Sequence, residues 1–130
     1  MNLIEILKGA RKRIEAAEYL ADGNYHEDNI MYGKCYCAAG HIFKEMKAED
    51  EDMDVLEGSY LSDFDDEWLV EHGKPIHEKI RKLTPILSSL YELQLTNDES
   101  KNNSRKENVL AKLDEIISEM ESEQNGNPSN

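Results

Sequence analysis

Basic residues are missing from one long stretch of this chain. Residues 48–72 hold no Lys or Arg. The same stretch carries eleven carboxylates: Glu49, Asp50, Glu51, Asp52, Asp54, Glu57, Asp63, Asp65, Asp66, Glu67 and Glu71. Acids and bases nearly balance elsewhere, so this stretch supplies most of the formal net charge of −13. A field of that sign argues against direct binding of nucleic acid or an anionic membrane, since both are polyanions. Cysteine is equally scarce. Cys35 and Cys37 are the only two, and a disulfide across one intervening residue would be strained. Reduced thiols in a cytoplasmic protein are therefore expected. No apolar run approaches the roughly 18 residues of a membrane span. Residues 1–8 are amphipathic and include Glu5, unlike the apolar stretch of a signal peptide.

What is present reads as helix. With 130 residues, 38% hydrophobic and 33% charged, the chain suits one domain with one core. Leu3, Leu7, Ala10, Ile14, Ala17 and Ala21 form an apolar stripe at helical spacing. Asn2 and Glu5 provide a capping pair and Gly23 a terminator, which predicts a helix over 2–22. Residues 24–34 read as a loop. A second helix is expected over 35–47, where Ala38, Ala39 and Gly40 suggest close approach of another backbone. Residues 49–58 read as loop or a short turn. Ser62 and Asp65 would cap a short helix containing Trp68 and Leu69 and closed by Gly73. Pro75 suits the first turn of a further helix, and Thr84-Pro85 either kinks it or starts another. Residues 96–103 read as a polar loop. Ser104 and Glu107 form a capping box ahead of Val109, Leu113, Ile116 and Met120, predicting a helix over 104–121. No window alternates long enough for a strand. The expected fold is thus mostly α: about five helices over 1–122, an acidic insertion, and a disordered tail over 123–130.

Several residue groups could carry chemistry. His26, Cys35, Cys37 and His41 lie within sixteen positions and could suit tetrahedral zinc. However, Cys-x-Cys is not the usual zinc spacing, and buried cysteines in a packed helix explain the pattern as well. Cys35 or Cys37 could pair as a nucleophile with His41, His72 or His77, but no third group or oxyanion site accompanies them. The acidic runs lack the alternating ligands and central glycine of a Ca²⁺ loop. No catalytic residue, metal or cofactor is assigned.

The acidic stretch has a bland reading, a solvated face that aids solubility. Its other reading rests on Met53, Val55, Leu56, Tyr60, Leu61, Phe64, Trp68 and Leu69 lying among the acids. Apolar anchors in an anionic field fit a basic protein surface. The expected function is a small non-enzymatic accessory protein that binds such a surface through residues 49–71. Glu49, Asp50, Glu51, Asp52, Asp54, Glu57, Asp63, Asp65, Asp66, Glu67, Trp68 and Glu71 would make the contacts, in the manner of a nucleic-acid mimic. The alternatives are a metal-binding or thiol-dependent domain at Cys35, Cys37 and His41, or a structural domain with a solvated acidic face.

Three short stretches carry a resemblance: Cys37-Ala38-Ala39-Gly40, Asn97-Asp98, and Val109-Leu110-Ala111-Lys112-Leu113-Asp114. Together they resemble a family of small uncharacterised bacterial and phage proteins with a Cys-x-x-Gly helix, an Asn-Asp loop and a Val-Leu-rich final helix. His41 stands where that family has a small residue. The resemblance implies a compact helical domain, often in phage or mobile-element settings. It implies packing roles for Cys37 and Gly40, and it brings no activity.

Overall fold

The computed structural model describes residues 2–56, Glu67 and 74–124. The fold is mostly helical, as expected, with one small sheet. In chain order the elements are α1 (Leu3–Ala16), β1 (His26–Asn29), β2 (Gly33–Tyr36), α2 (Ala38–Glu45), α3 (Asp50–Asp54), α4 (Lys74–Leu83), a single 3₁₀ turn (Thr84–Ile86), α5 (Leu87–Glu99) and α6 (Arg105–Gln124). The proposed cap at Ser62, the residues around Trp68 and the stop at Gly73 lie outside the described residues.

α1 begins as its sequence dictates. The Asn2 side chain accepts the Glu5 backbone N–H at 2.9 Å. Ile6, Leu7, Ala10 and Ile14 are buried along one face. The helix stops at Ala16 rather than continuing to residue 22. Beyond it, the Ala21 N–H donates to the Tyr36 carbonyl at 3.0 Å, and the Ala21 carbonyl accepts from the Asn97 amide at 2.8 Å. These tertiary bonds hold an extended segment where the stripe alone would extend the helix. Gly23, with φ of +83°, is a turn residue within that segment and does not cap α1.

The expected loop over 24–34 is instead a hairpin. β1 and β2 pair antiparallel with His26 opposite Tyr36 and Asn29 opposite Gly33. The Asn29 side chain accepts the N–H groups of Met31 and Tyr32 at 2.8 and 3.1 Å. This local turn bond fixes the bend, and Gly33 completes it with φ of +74°. Cys35 consequently sits in a strand, and α2 starts three residues later than the sequence suggests. Cys37 is its N-cap, with Sγ accepting the Gly40 N–H at 3.4 Å.

α1 packs against both α2 and α6, α5 against α6, and α2 against α5. Leu7, Ile14, Phe43, Leu93, Leu113 and Ile116 share one buried cluster. Met53 and Leu56 also enter it, so the start of the acidic stretch is fastened to the core by a short helix. α5 runs through Glu99, so Asn97 is a buried helical residue and not part of a polar loop. α6 continues through Gln124, past the expected boundary at 122.

Candidate functional site

Two acids of α3, Asp50 and Asp54, face the hairpin, and their geometry starts with strand alternation. Cys35 is buried while its neighbours Lys34 and Tyr36 are not. Lys34 and Tyr36 both reach one carboxylate: Asp50 accepts from Lys34 Nζ at 2.9 Å and from the Tyr36 hydroxyl at 3.1 Å. Lys44 of α2 adds a third contact at 3.2 Å. Burial alone would raise the Asp50 pKa, but these donors outweigh it and hold the carboxyl down at about 2. Asp50 is therefore committed within the chain. Asp54 meets His26 Nε2 at 2.6 Å, and the Asp52 carboxylate accepts the Glu49 N–H at 3.3 Å. Glu49, Glu51 and Glu67 are exposed. Glu57, Asp63, Asp65, Asp66, Trp68 and Glu71 lie outside the described residues.

Lys34 also lies 3.9 Å from Asp28 on β1. The hairpin and α3 are thereby joined side by side, and the hairpin contributes its own acids, Glu27 and Asp28. At the hairpin tip Ile30 and Met31 stand almost fully in solvent and Tyr32 is partly exposed. Large apolar residues at one exposed tip are the informative kind of surface exposure. Sequence reasoning missed this tip because it read residues 24–34 as a loop. The signal that could have found it is Asn29 and Gly33 bracketing an apolar triplet.

Three of the four residues weighed as zinc ligands have separate tasks. His26 bonds Asp54, the Cys35 thiol points to the Glu27 carbonyl at 3.8 Å, and Cys37 caps α2. Among the described residues no three His, Cys, Asp or Glu side chains converge as a metal-binding group. Burial, then the nearby Glu27, pushes the Cys35 thiol pKa up. That is the reverse of what an activated nucleophile requires.

A cavity of about 540 Å³ opens between the end of α1, residues 17–19 and the hairpin. Arg13, Tyr19, Tyr32, Tyr36, Cys35 and His41 contribute to its walls. Tyr19 and Tyr32 stack with centroids 5.1 Å apart and planes within 5°. Tyr36 meets the His41 ring edge-on at 5.5 Å. His41 is only 6% exposed, and among the described residues neither ring nitrogen has a hydrogen-bond partner. Burial, reinforced by the Arg13 charge, lowers its pKa from 6.5 to about 4, so the ring is neutral near pH 7. The structure thus brings Cys35 and His41 to one cavity without a hydrogen bond between them, leaves His26 and Cys37 on other duties, and places His77 on α4 beside Arg81. His72 is outside the described residues.

Among the described residues no helix is long and apolar enough to cross a membrane. No family model, curated protein or solved structure matches this chain.

Proposed function

We propose that this protein is a non-enzymatic accessory protein that binds a basic protein surface through its acidic stretch and the adjoining hairpin. The observation that carries this reading is the joint made by Lys34, which ties Asp28 and Asp50 together and sets an exposed apolar tip beside the acidic stretch. The division of labour is physical. Unpaired carboxylates steer a basic surface and speed encounter, while Ile30, Met31 and Tyr32 supply the apolar anchor that slows departure. A partner surface that normally holds nucleic acid would suit a carboxylate array, because such a surface already accommodates a dense run of negative charge. Binding there would then compete with nucleic acid.

The test uses three baits in a native host lysate at several salt concentrations: the wild type, Ile30→Ser with Met31→Ser, and a variant with Asp63, Asp65, Asp66 and Glu67 changed to their amides. The expected result is a basic protein held by the wild type, lost by both variants, released steeply as salt rises, and displaced by added duplex DNA. A partner held equally by all three baits, with no salt dependence, rules the proposal out.

A further inference from the structure

The cavity between α1 and the hairpin holds Arg13, Tyr19 and His41, which the protein-binding role does not use. Its walls combine tyrosine rings, small apolar surface from Ala16 and Ala17, and the cations Arg13 and Lys34 against the single acid Glu18. Lys34 is engaged by Asp28 and Asp50. Among the described residues Arg13 has only a distant ion pair with Glu45, at 4.0 Å, so its guanidinium retains donors. Buried polar atoms are nearly always hydrogen-bonded, yet both nitrogens of His41 lack a partner. The volume falls within the usual range for small-molecule sites, which pair apolar walls with a few polar groups.

From these features we infer that the cavity is a binding site for a small aromatic carboxylate, with the carboxylate on Arg13, the ring against the tyrosines and a polar contact to His41. A guanidinium offers paired donors that match a carboxylate. Tyrosine faces favour a flat apolar ring. The neutral imidazole carries one donor and one acceptor in its ring plane; both nitrogens are closed off from solvent, so a ligand in the cavity partners them by drawing the ring edge toward it. The site needs no protein partner, although it shares Met31 and Tyr32 with the hairpin tip proposed above as an anchor.

The probe is 2-naphthoate, titrated into the full-length protein and followed by the NMR signals of the His41 ring and the Arg13 side chain, with calorimetry for affinity. Saturable shifts at both residues are expected. Arg13→Gln should weaken binding by about tenfold or more, the loss expected for one charge-assisted bond. His41→Phe fills the same space and removes the two unpartnered nitrogens, so it should fold and bind more weakly. The uncharged 2-naphthamide should bind more weakly than the acid, and inorganic phosphate should not move the His41 signals. The assignment is overturned if naphthoate leaves the His41 signals unmoved at millimolar concentration. Equal binding of the amide, or full affinity in both variants, overturns it as well.

Discussion

The side-chain oxygen of Asn97 accepts the backbone N–H of Ala38, 59 residues earlier in the chain, at 3.0 Å. The same amide donates to the Ala21 carbonyl at 2.8 Å. One side chain on α5 therefore satisfies an orphan donor in the first turn of α2 and fixes the extended segment after α1. Its neighbour Asp98 accepts the Gly23 N–H at 3.1 Å, and Arg105 donates to the Asn97 carbonyl from the start of α6. Asn97 is 1% exposed, so Asn97→Ala leaves two buried backbone groups unpaired. The expected loss is about 2–5 kcal/mol, measured as a lower urea midpoint at unchanged slope. Asn97→Asp should not rescue it, since a carboxylate cannot donate to the Ala21 carbonyl. A change below about 0.5 kcal/mol would fall in the range of a surface substitution and show that water replaces these bonds.

How much of this was legible beforehand depended on the range of the interactions. The stripes of α1 and α6 can be read because burial of one face follows from residues three and four apart. The hairpin was hidden because each strand has only four residues, and His26 to Asn29 is polar throughout, so alternation has nothing to register. The end of α1 was misread for a related reason: Ala17 and Ala21 continue the helical period, but tertiary bonds, from Lys106 to the Ala17 carbonyl and between Ala21 and Tyr36 and Asn97, decide their conformation. Asn97 and Arg105 look like polar surface residues in one dimension. Their burial comes from partners distant in sequence. His41 reads as a candidate ligand or base, while the lack of a partner for its ring nitrogens among the described residues is visible only in the folded chain.

Gly40 illustrates a reading that held. Its place inside a helix suggested close backbone approach, and a Cβ built there would collide with the Tyr25 carbonyl oxygen and lie 3.2 Å from the Tyr36 Cβ. That carbonyl also accepts the Cys37 N–H at 3.2 Å. Alanine gains about 1 kcal/mol in helix propensity over glycine, but here it must displace backbone. Overpacking costs about 1–3 kcal/mol, so Gly40→Ala should destabilise by a net of up to about 2 kcal/mol after the propensity gain. A gain in melting temperature would mean that α2 can move away from the hairpin at little cost.

Leu113 tests the other side of the core. It is fully buried on α6, which packs against α1 and α5. Leu113→Ala should cost about 2–5 kcal/mol through lost transfer energy and the cavity left behind. By contrast, Asp114→Ala removes an exposed pair with Arg11 and should cost under about 1 kcal/mol. Comparable losses for the two variants would place the cohesion of α1 and α6 in their surface ion pairs.

His41 should make stability depend on pH in a narrow window. Its folded pKa is lowered from 6.5 to about 4, first by burial and then by the Arg13 charge. Among the described residues Arg13 from α1 and Tyr36 and Cys35 from β2 are the charged and titratable groups that share its surroundings. Between those two pH values the unfolded chain binds a proton that the folded chain refuses. Stability is thus complete above pH 6.5 and falls as pH drops toward 4. At about 1.4 kcal/mol per pKa unit the full loss is on the order of 3 kcal/mol. Asp50 acts lower, because its carboxyl is held below its ordinary 3.8 at about 2 and its contribution is lost only as pH falls through that lower range. Urea titrations of the wild type and of His41→Phe separate the two. The variant should lose most of the slope between pH 6.5 and 4 and keep the decline below it. An unchanged slope in His41→Phe would assign the upper window to another group.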